Sequence, residues 1–150
     1  MERVLVSGCL LGQPVRYDGK AKTNSSDILA RWRTEGRVVP FCPELAGGLG
    51  VPRPPAELQA GRVITVNGQD VTDAFTRGAE LALAAARNAG ARIAVLKEGS
   101  PSCGSGLIAD GTFGGGKIPG EGLTTALLRA HGITVFNEEQ FEAADALLSD

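Results

Sequence analysis

Three cysteines are the residues of this sequence best suited to chemistry, and each follows a short apolar run. Cys9 follows VLVSG, Cys42 follows VVPF, and Cys103 follows IAVL and the turn-like stretch KEGSPS. Ligands bind beyond the carboxyl ends of the strands in an open α/β sheet. If these runs are parallel neighbouring strands, the pattern predicts that three thiols meet at one edge of a sheet.

Three thiolates without a fourth protein ligand favour a metal centre with one open position. A structural zinc site would need a fourth Cys or His, and we expect the single His131 to cap a helix. The sequence has no C-x-x-C pair of the thioredoxin type. An iron–sulfur cluster is normally held by four cysteines, so three would leave one iron free for a soft donor such as sulfur. Each cysteine taken singly could also be an ordinary buried residue.

Five blocks of sequence, spread over most of the chain, resemble the thiouracil desulfurase family. They are CLLG with VRYDG, CPE with GGL and PRP, GQDVT, LKE with SPSCG, and DGTF. The resemblance implies that Cys9, Cys42 and Cys103 hold a [4Fe–4S] cluster with one free iron. It also implies that sulfur is removed from a thiolated pyrimidine without net redox change. Ala109 departs from the family pattern, which has an aromatic residue before DGTF, and this affects the choice of ring more than the reaction.

The implied mechanism needs a carboxylate that activates water while the free iron acts as a Lewis acid on the thiocarbonyl sulfur and sulfide leaves. Glu44 is the first candidate because it lies two residues beyond Cys42, and Asp18 is the second. Glu44 could instead pair with Arg53. Asp18, within Tyr-Asp-Gly, could simply form a turn.

Further polar residues are candidates for contacts with substrate or cluster. Ser100 and Ser102 flank the proline before Cys103, and we take Ser102 as a catalytic candidate and Ser100 as a candidate for binding substrate, although a turn role explains both equally well. Arg16, Tyr17 and Arg53 are candidates for binding the polar edges of the substrate. Lys97 could orient an acid of a loop, and the glycines at 114–116 lack the Lys-Ser/Thr of a P-loop.

The elements that must position these residues form a repeating α/β pattern. Short apolar runs predict strands at residues 2–7, 37–41, 92–96 and 133–136, and helices are predicted at about 25–35, 72–88, 123–131 and 138–148. Asn67-Gly68 predicts a hairpin over residues 62–71, and the Pro- and Gly-rich residues 42–57 are predicted to be irregular. We therefore expect residues 1–150 to form a single three-layer α/β domain with a mostly parallel, Rossmann/flavodoxin-like sheet plus a small β-hairpin.

The amino-acid composition and net charge argue against several classes of function, among them nucleic-acid binding and membrane insertion. The 150 residues carry a net charge of −2, with one Trp, one Tyr and five Phe, so we expect no nucleic acid polymer as partner. An odd number of cysteines without secretory features favours the cytoplasm. No membrane span is expected, and too few apolar residues precede Cys9 for a lipoprotein signal.

The expected partner is a small thiobase or thionucleoside, and the chain is expected to be a monomer or a homodimer. Two other functions remain open on the sequence alone. The chain could be a non-catalytic module that binds sulfide or metal, or an α/β module that binds a small molecule and has structural cysteines.

Overall fold

A parallel four-stranded sheet forms the centre of the computed structural model, which describes residues 2–11, 27–50, 53–98 and 100–148. The strands of this sheet are β1 (Val4–Ser7), β2 (Val38–Phe41), β5 (Ile93–Leu96) and β8 (Thr134–Asn137). Their order is β2-β1-β5-β8, and all neighbouring strands are parallel. This order is the flavodoxin-like arrangement expected for a doubly wound fold.

Helices cover both faces of this sheet, which gives the predicted three layers. They are α1 (Asp27–Thr34), α3 (Thr72–Ala89), α4 (Leu123–Ala130) and α5 (Phe141–Leu147). The short helix α2 (Pro43–Ala46) packs on α3. Because side chains alternate along a strand, Leu5 points to one face and packs with α3 and α4. Val4 and Val6 point to the other face and pack with α1 and α5, where Trp32 is fully buried.

Two antiparallel hairpins lie outside the central sheet. The first pairs β3 (Ala56–Gln59) with β4 (Arg62–Thr65), and the second pairs β6 (Leu107–Ala109) with β7 (Lys117–Pro119). The second hairpin was not predicted, because three-residue strands around a glycine tract carry little pattern. The fold class itself, an α/β fold with a mostly parallel sheet, is confirmed.

The predicted return of the chain at Asn67-Gly68 is present, but the longer hairpin is the one that pairs β3 with β4. Its turn is Ala60-Gly61, with φ of 49° and 82°, rather than Asn67-Gly68. Gly68 does form a turn, with φ of 84° and its N–H donating to the Thr65 carbonyl at 2.8 Å. That turn brings the chain back alongside β4, with an antiparallel bridge between Ile64 and Asp70. The Thr65 N–H donates to the Gln69 carbonyl at 2.8 Å, and the Val71 N–H donates to the Val63 carbonyl at 2.9 Å.

Residues 42–57 are also more regular than predicted. They include all of α2 and the start of β3. Proline does not prevent α2 from forming, because Pro43 lies in the first turn of that helix, where its missing N–H is not needed. Helix α5 begins three residues later than predicted. The Glu139 N–H donates to Asn137 Oδ1 at 2.8 Å and thereby forms a turn before the helix. Helix α3 ends as predicted at Gly90, whose φ is 69°.

No helix in the described part of the chain is both long and apolar enough to cross a membrane.

Candidate functional site

The three cysteines lie beyond the carboxyl ends of three adjacent strands. Cys9 follows β1, Cys42 follows β2 and Cys103 lies in the loop after β5. All three line one cavity of about 570 Å³. Cys9 and Cys103 are buried, Cys42 is half-buried, and none forms a disulfide. The predicted meeting of the strand ends therefore brings the thiols to a shared cavity.

Cys42 is held by the short helix that it begins. Its extended backbone is at the N-cap of α2, and its carbonyl accepts the Ala46 N–H at 3.0 Å. The backbone of α2 packs directly against α3. A Cβ on Gly78 would collide with the Pro43 carbonyl, and one on Gly47 would collide with the Ala74 carbonyl. Two glycines thus allow the close approach that sets the position of Cys42.

The loop of Cys103 is ordered by its own serine. The Oγ of Ser100 accepts the N–H groups of Ser102 at 3.1 Å and Cys103 at 2.7 Å. The first turn of α4 then binds the other side of this loop, with the Leu123 N–H donating to the Pro101 carbonyl at 2.7 Å and the Thr124 N–H to the Ser102 carbonyl at 2.9 Å. These contacts satisfy N–H groups that a helix N-terminus otherwise leaves unpaired.

Two hydroxyls lie next to the Cys103 sulfur. Ser7 Oγ and Ser102 Oγ are each 3.9 Å from Cys103 Sγ. Ser7 also accepts the Lys97 N–H at 2.9 Å and so links the ends of β1 and β5. Ser102 is fully buried and shares a 2.7 Å hydrogen bond with Thr124 Oγ1. The hydroxyl of Ser102 therefore lies beside the Cys103 thiol. Ser102 itself is not one of the described residues that line the cavity.

Glu44 and Arg53 form an ion pair in the cavity wall. Arg53 Nη2 is 3.1 Å from Glu44 Oε2, and Arg53 Nη1 donates to the Gly50 carbonyl at 2.9 Å. The side chains of Glu44 and Arg53 are only 19% and 6% exposed. Glu44 therefore does pair with Arg53, as the alternative interpretation expected, and it also lines the cavity.

Burial dominates the electrostatics of these groups. It raises the pKa of the Cys103 thiol far above its ordinary value, and the charges of Glu44, Cys42 and Cys9 raise it further. Burial also raises the pKa of Cys42. The pKa of Glu44 is raised for the same reason, against the opposing effect of Arg53. Burial therefore favours the neutral forms of these groups in the metal-free protein, and binding of a metal centre would require the thiols to release their protons.

Other predicted residues fall outside this arrangement. Arg16, Tyr17 and Asp18 lie outside the described residues, and their roles remain predictions. His131 is exposed at the end of α4, with Nδ1 3.0 Å from the Leu127 carbonyl, as expected for a cap. Ala109, by contrast, does line the cavity.

Sequence reasoning missed several residues that build the site. Ser7 and Thr124 lie on strand β1 and helix α4, far from Cys103 in sequence. Glu98 binds the loop after Cys103, and Glu138 pairs with Lys97 at 2.8 Å. Lys97 therefore does orient an acid, but that acid follows β8. Only the KEGSPSCG block indicated that Glu98 belongs near the site.

The cysteines around the cavity offer sulfur ligands, which soft metal centres such as iron–sulfur clusters prefer. In the part of the chain that the structure describes, no three Cys, His, Asp or Glu side chains are close enough to bind one metal ion. A cubane cluster attaches its ligands to different irons and so needs thiols that are further apart.

Comparisons with known proteins agree with this geometry. The model of the family described as 2-thiouracil desulfurase matches residues 4–140. The uncharacterized protein YbbK of Bacillus subtilis (strain 168) is 42% identical, over 91% of this chain and 96% of YbbK. A solved structure of the [4Fe-4S]-dependent thiouracil desulfidase TudS is 57% identical and superposes with a TM-score of 0.95, over 97% of both chains.

Proposed function

The chain belongs to the 2-thiouracil desulfurase family, and we propose that it removes sulfur from a thiolated pyrimidine with a [4Fe–4S] cluster held by Cys9, Cys42 and Cys103. The predicted family and desulfurase activity are confirmed by the family match. The cluster is supported by the similarity to a [4Fe-4S]-dependent enzyme. The observation that carries the ligand assignment is that all three thiols line the same cavity as Glu44.

The proposed reaction is a hydrolysis. Water attacks the thiocarbonyl carbon, a C–O bond forms, the C–S bond breaks, and sulfur leaves as sulfide, so that nothing is oxidised or reduced. A cluster bound through three thiolates supplies an iron with an open position that can act as a Lewis acid toward sulfur. The protein must then bind the ring, position the water and accept its proton.

Glu44 is the proposed base. Its carboxylate lies in the cavity wall two residues from Cys42, close to the thiols and shielded from bulk water. Arg53 binds one of its oxygens at 3.1 Å and so orients the carboxylate, and the other oxygen is the proposed acceptor of the proton from water. Asp18 stays the second candidate. A positioned base of this kind typically contributes 10²–10⁴-fold to the rate, on the order of several kcal/mol.

The two serines have different proposed roles. Ser100 lines the cavity, and its Oγ already accepts two N–H groups, so its own O–H is left to donate toward substrate or cluster. Ser102 lies behind Cys103, and its contact with the sulfur supports a role in orienting that ligand. Arg16, Tyr17 and Arg53 are the proposed contacts for the polar edges of the ring.

The proposed substrate is a free thiobase or thionucleoside, and the proposed assembly is a monomer or a homodimer. A cavity of about 570 Å³ is within the range of small-molecule sites.

The test is anaerobic turnover of 2-thiouracil by reconstituted protein, with uracil and sulfide measured together. We expect equal amounts of both products. Glu44→Gln should lower kcat by roughly 10²-fold or more while iron content stays at the wild-type value, and Glu80→Gln, at an exposed position of α3, is the control. Release of sulfide without uracil would contradict hydrolysis, and an active Glu44→Gln variant would exclude Glu44 as the base.

A further inference from the structure

One carboxylate outside the proposed catalytic set closes the loop that carries Cys103. Glu98 follows β5, and its side chain reaches across to residues beyond the cysteine. The N–H groups of Ser105 and Gly106 donate to Glu98 Oε1 at 2.6 and 3.3 Å. The Ser105 hydroxyl and the Asn137 side-chain amide donate to Oε2, both at 3.1 Å. Among the described residues, these four donors bind the Glu98 carboxylate, three of them from the far end of the loop.

The same segment is attached to the end of β8. The Glu98 N–H donates to Glu138 Oε1 at 2.8 Å, and Lys97 Nζ lies 2.8 Å from Glu138 Oε2. Asn137, which donates to the Glu98 carboxylate, is the last residue of β8. The loop is therefore fixed at its start, across its width and to the neighbouring strand, with Cys103 inside it.

We propose that Glu98 is a positioning residue, whose acceptor-only carboxylate gathers these donors and so holds Cys103 ready to bind the cluster. The role in cluster binding rests on the proposed function. An ionised carboxylate accepts hydrogen bonds at both oxygens and donates none, and its bonds are stronger than those of a neutral amide. Glutamine, although almost identical in shape, cannot replace it.

The contacts of Asn137 make this requirement specific. In Glu98→Gln, one orientation of the amide points its NH₂ group at the NH₂ group of Asn137, and the other points it at the N–H groups of Ser105 and Gly106. Asn137 cannot turn over without loss, because its Oδ1 accepts the Glu139 N–H at 2.8 Å. Asn137→Asp supplies an acceptor for both donors. Alone, however, Asn137→Asp places two carboxylates side by side, which is unfavourable. Each single substitution should therefore disturb the loop, and the two together should restore it.

Hydrogen exchange of the metal-free full-length chain tests this directly. The amides of Ser105 and Gly106 should exchange roughly tenfold faster in Glu98→Gln and in Asn137→Asp. They should return to nearly the wild-type rate in the double variant and be unchanged in the control Glu142→Gln, at an exposed position of α5. Iron bound after anaerobic reconstitution, and the EPR signal of the reduced cluster, should follow the same order.

Wild-type exchange in Glu98→Gln would overturn the proposal, as would a double variant that is no better than the single ones. Exchange at Val95, in β5, shows whether a variant is folded. If Glu98→Gln is unfolded, refolding by the second substitution supports the proposal, and an unfolded double variant overturns it. If the wild type binds no cluster, the proposed function fails, and the exchange rates still decide whether Glu98 holds the loop.

Discussion

Gly104 directly follows Cys103, and its substitution by alanine tests whether close packing fixes the position of the Cys103 thiol. A Cβ at position 104 would lie 2.7 Å from Ile108 Cγ2, 2.9 Å from the Ser100 carbonyl oxygen and 3.1 Å from the Leu107 carbonyl oxygen. Ordinary contact begins at 3.4 Å. Gly104→Ala must therefore increase these separations by 0.7, 0.5 and 0.3 Å, the differences between 3.4 Å and each distance.

The substitution should affect stability and function together. Overpacking of this kind costs about 1–3 kcal/mol, because Ile108 is buried and the other two atoms belong to the backbone. A shift of roughly 0.5 Å is also the tolerance within which functional groups must be held. We expect urea denaturation of the metal-free variant to show the lower free energy of unfolding, and reconstitution to give less bound iron per chain.

Gly106→Ala is the matched control, two residues further along the same loop. A Cβ there would meet only Glu98 Oε2, at 3.6 Å, which is ordinary contact. Neither glycine has a positive φ, so both variants add one methyl group without backbone strain. If Gly104→Ala proved as stable and as rich in iron as Gly106→Ala, the packing argument would be refuted.

Two further substitutions test other parts of the structure. In Gly78→Ala, the new methyl group should push the Pro43 carbonyl, and with it α2, away from α3. We expect turnover of 2-thiouracil to fall by roughly tenfold or more. The control Glu80→Ala, on the same helix, should keep the wild-type rate, and equal rates in the two variants would contradict this argument. Hydrogen bonds from Thr72 and Arg62 lower the pKa of Asp70 from 3.8 to about 2, so its stabilising effect is complete above pH 3.8 and is lost as the pH falls toward 2. Asp70→Asn should therefore show a weaker loss of stability over that interval in urea denaturation, and an unchanged slope would argue against the assigned interaction.

The location of the three cysteines at the carboxyl ends of the strands could be predicted from the sequence, because each cysteine follows closely on an apolar run. Four-residue runs such as IAVL in β5 have few structural alternatives when helices of clear period flank them. The C-terminal limit of α3 was equally predictable, since Gly90 adopts the left-handed conformation that ends a helix. Local pattern is therefore sufficient to predict that the three thiols share one edge of the sheet.

The remaining parts depend on contacts between distant residues. Both Ala60-Gly61 and Asn67-Gly68 turn the chain back along β4, and only the pairing with β3 makes the first of them the longer hairpin. Helix α2 is too short to be recognised by periodicity and is placed by its backbone contact with α3. Glu98 lies 39 residues from Asn137, and no local pattern indicates such a pair.

The most direct test of the central claim is Mössbauer spectroscopy of anaerobically reconstituted, ⁵⁷Fe-labelled protein before and after addition of sulfide. If Cys9, Cys42 and Cys103 hold a cluster with one open iron, the protein should contain about four irons per chain. One of these irons should differ from the other three and should change when sulfide binds. Four irons that are all unaffected by sulfide, or a wild-type iron content in a Cys103→Ala variant, would contradict the account.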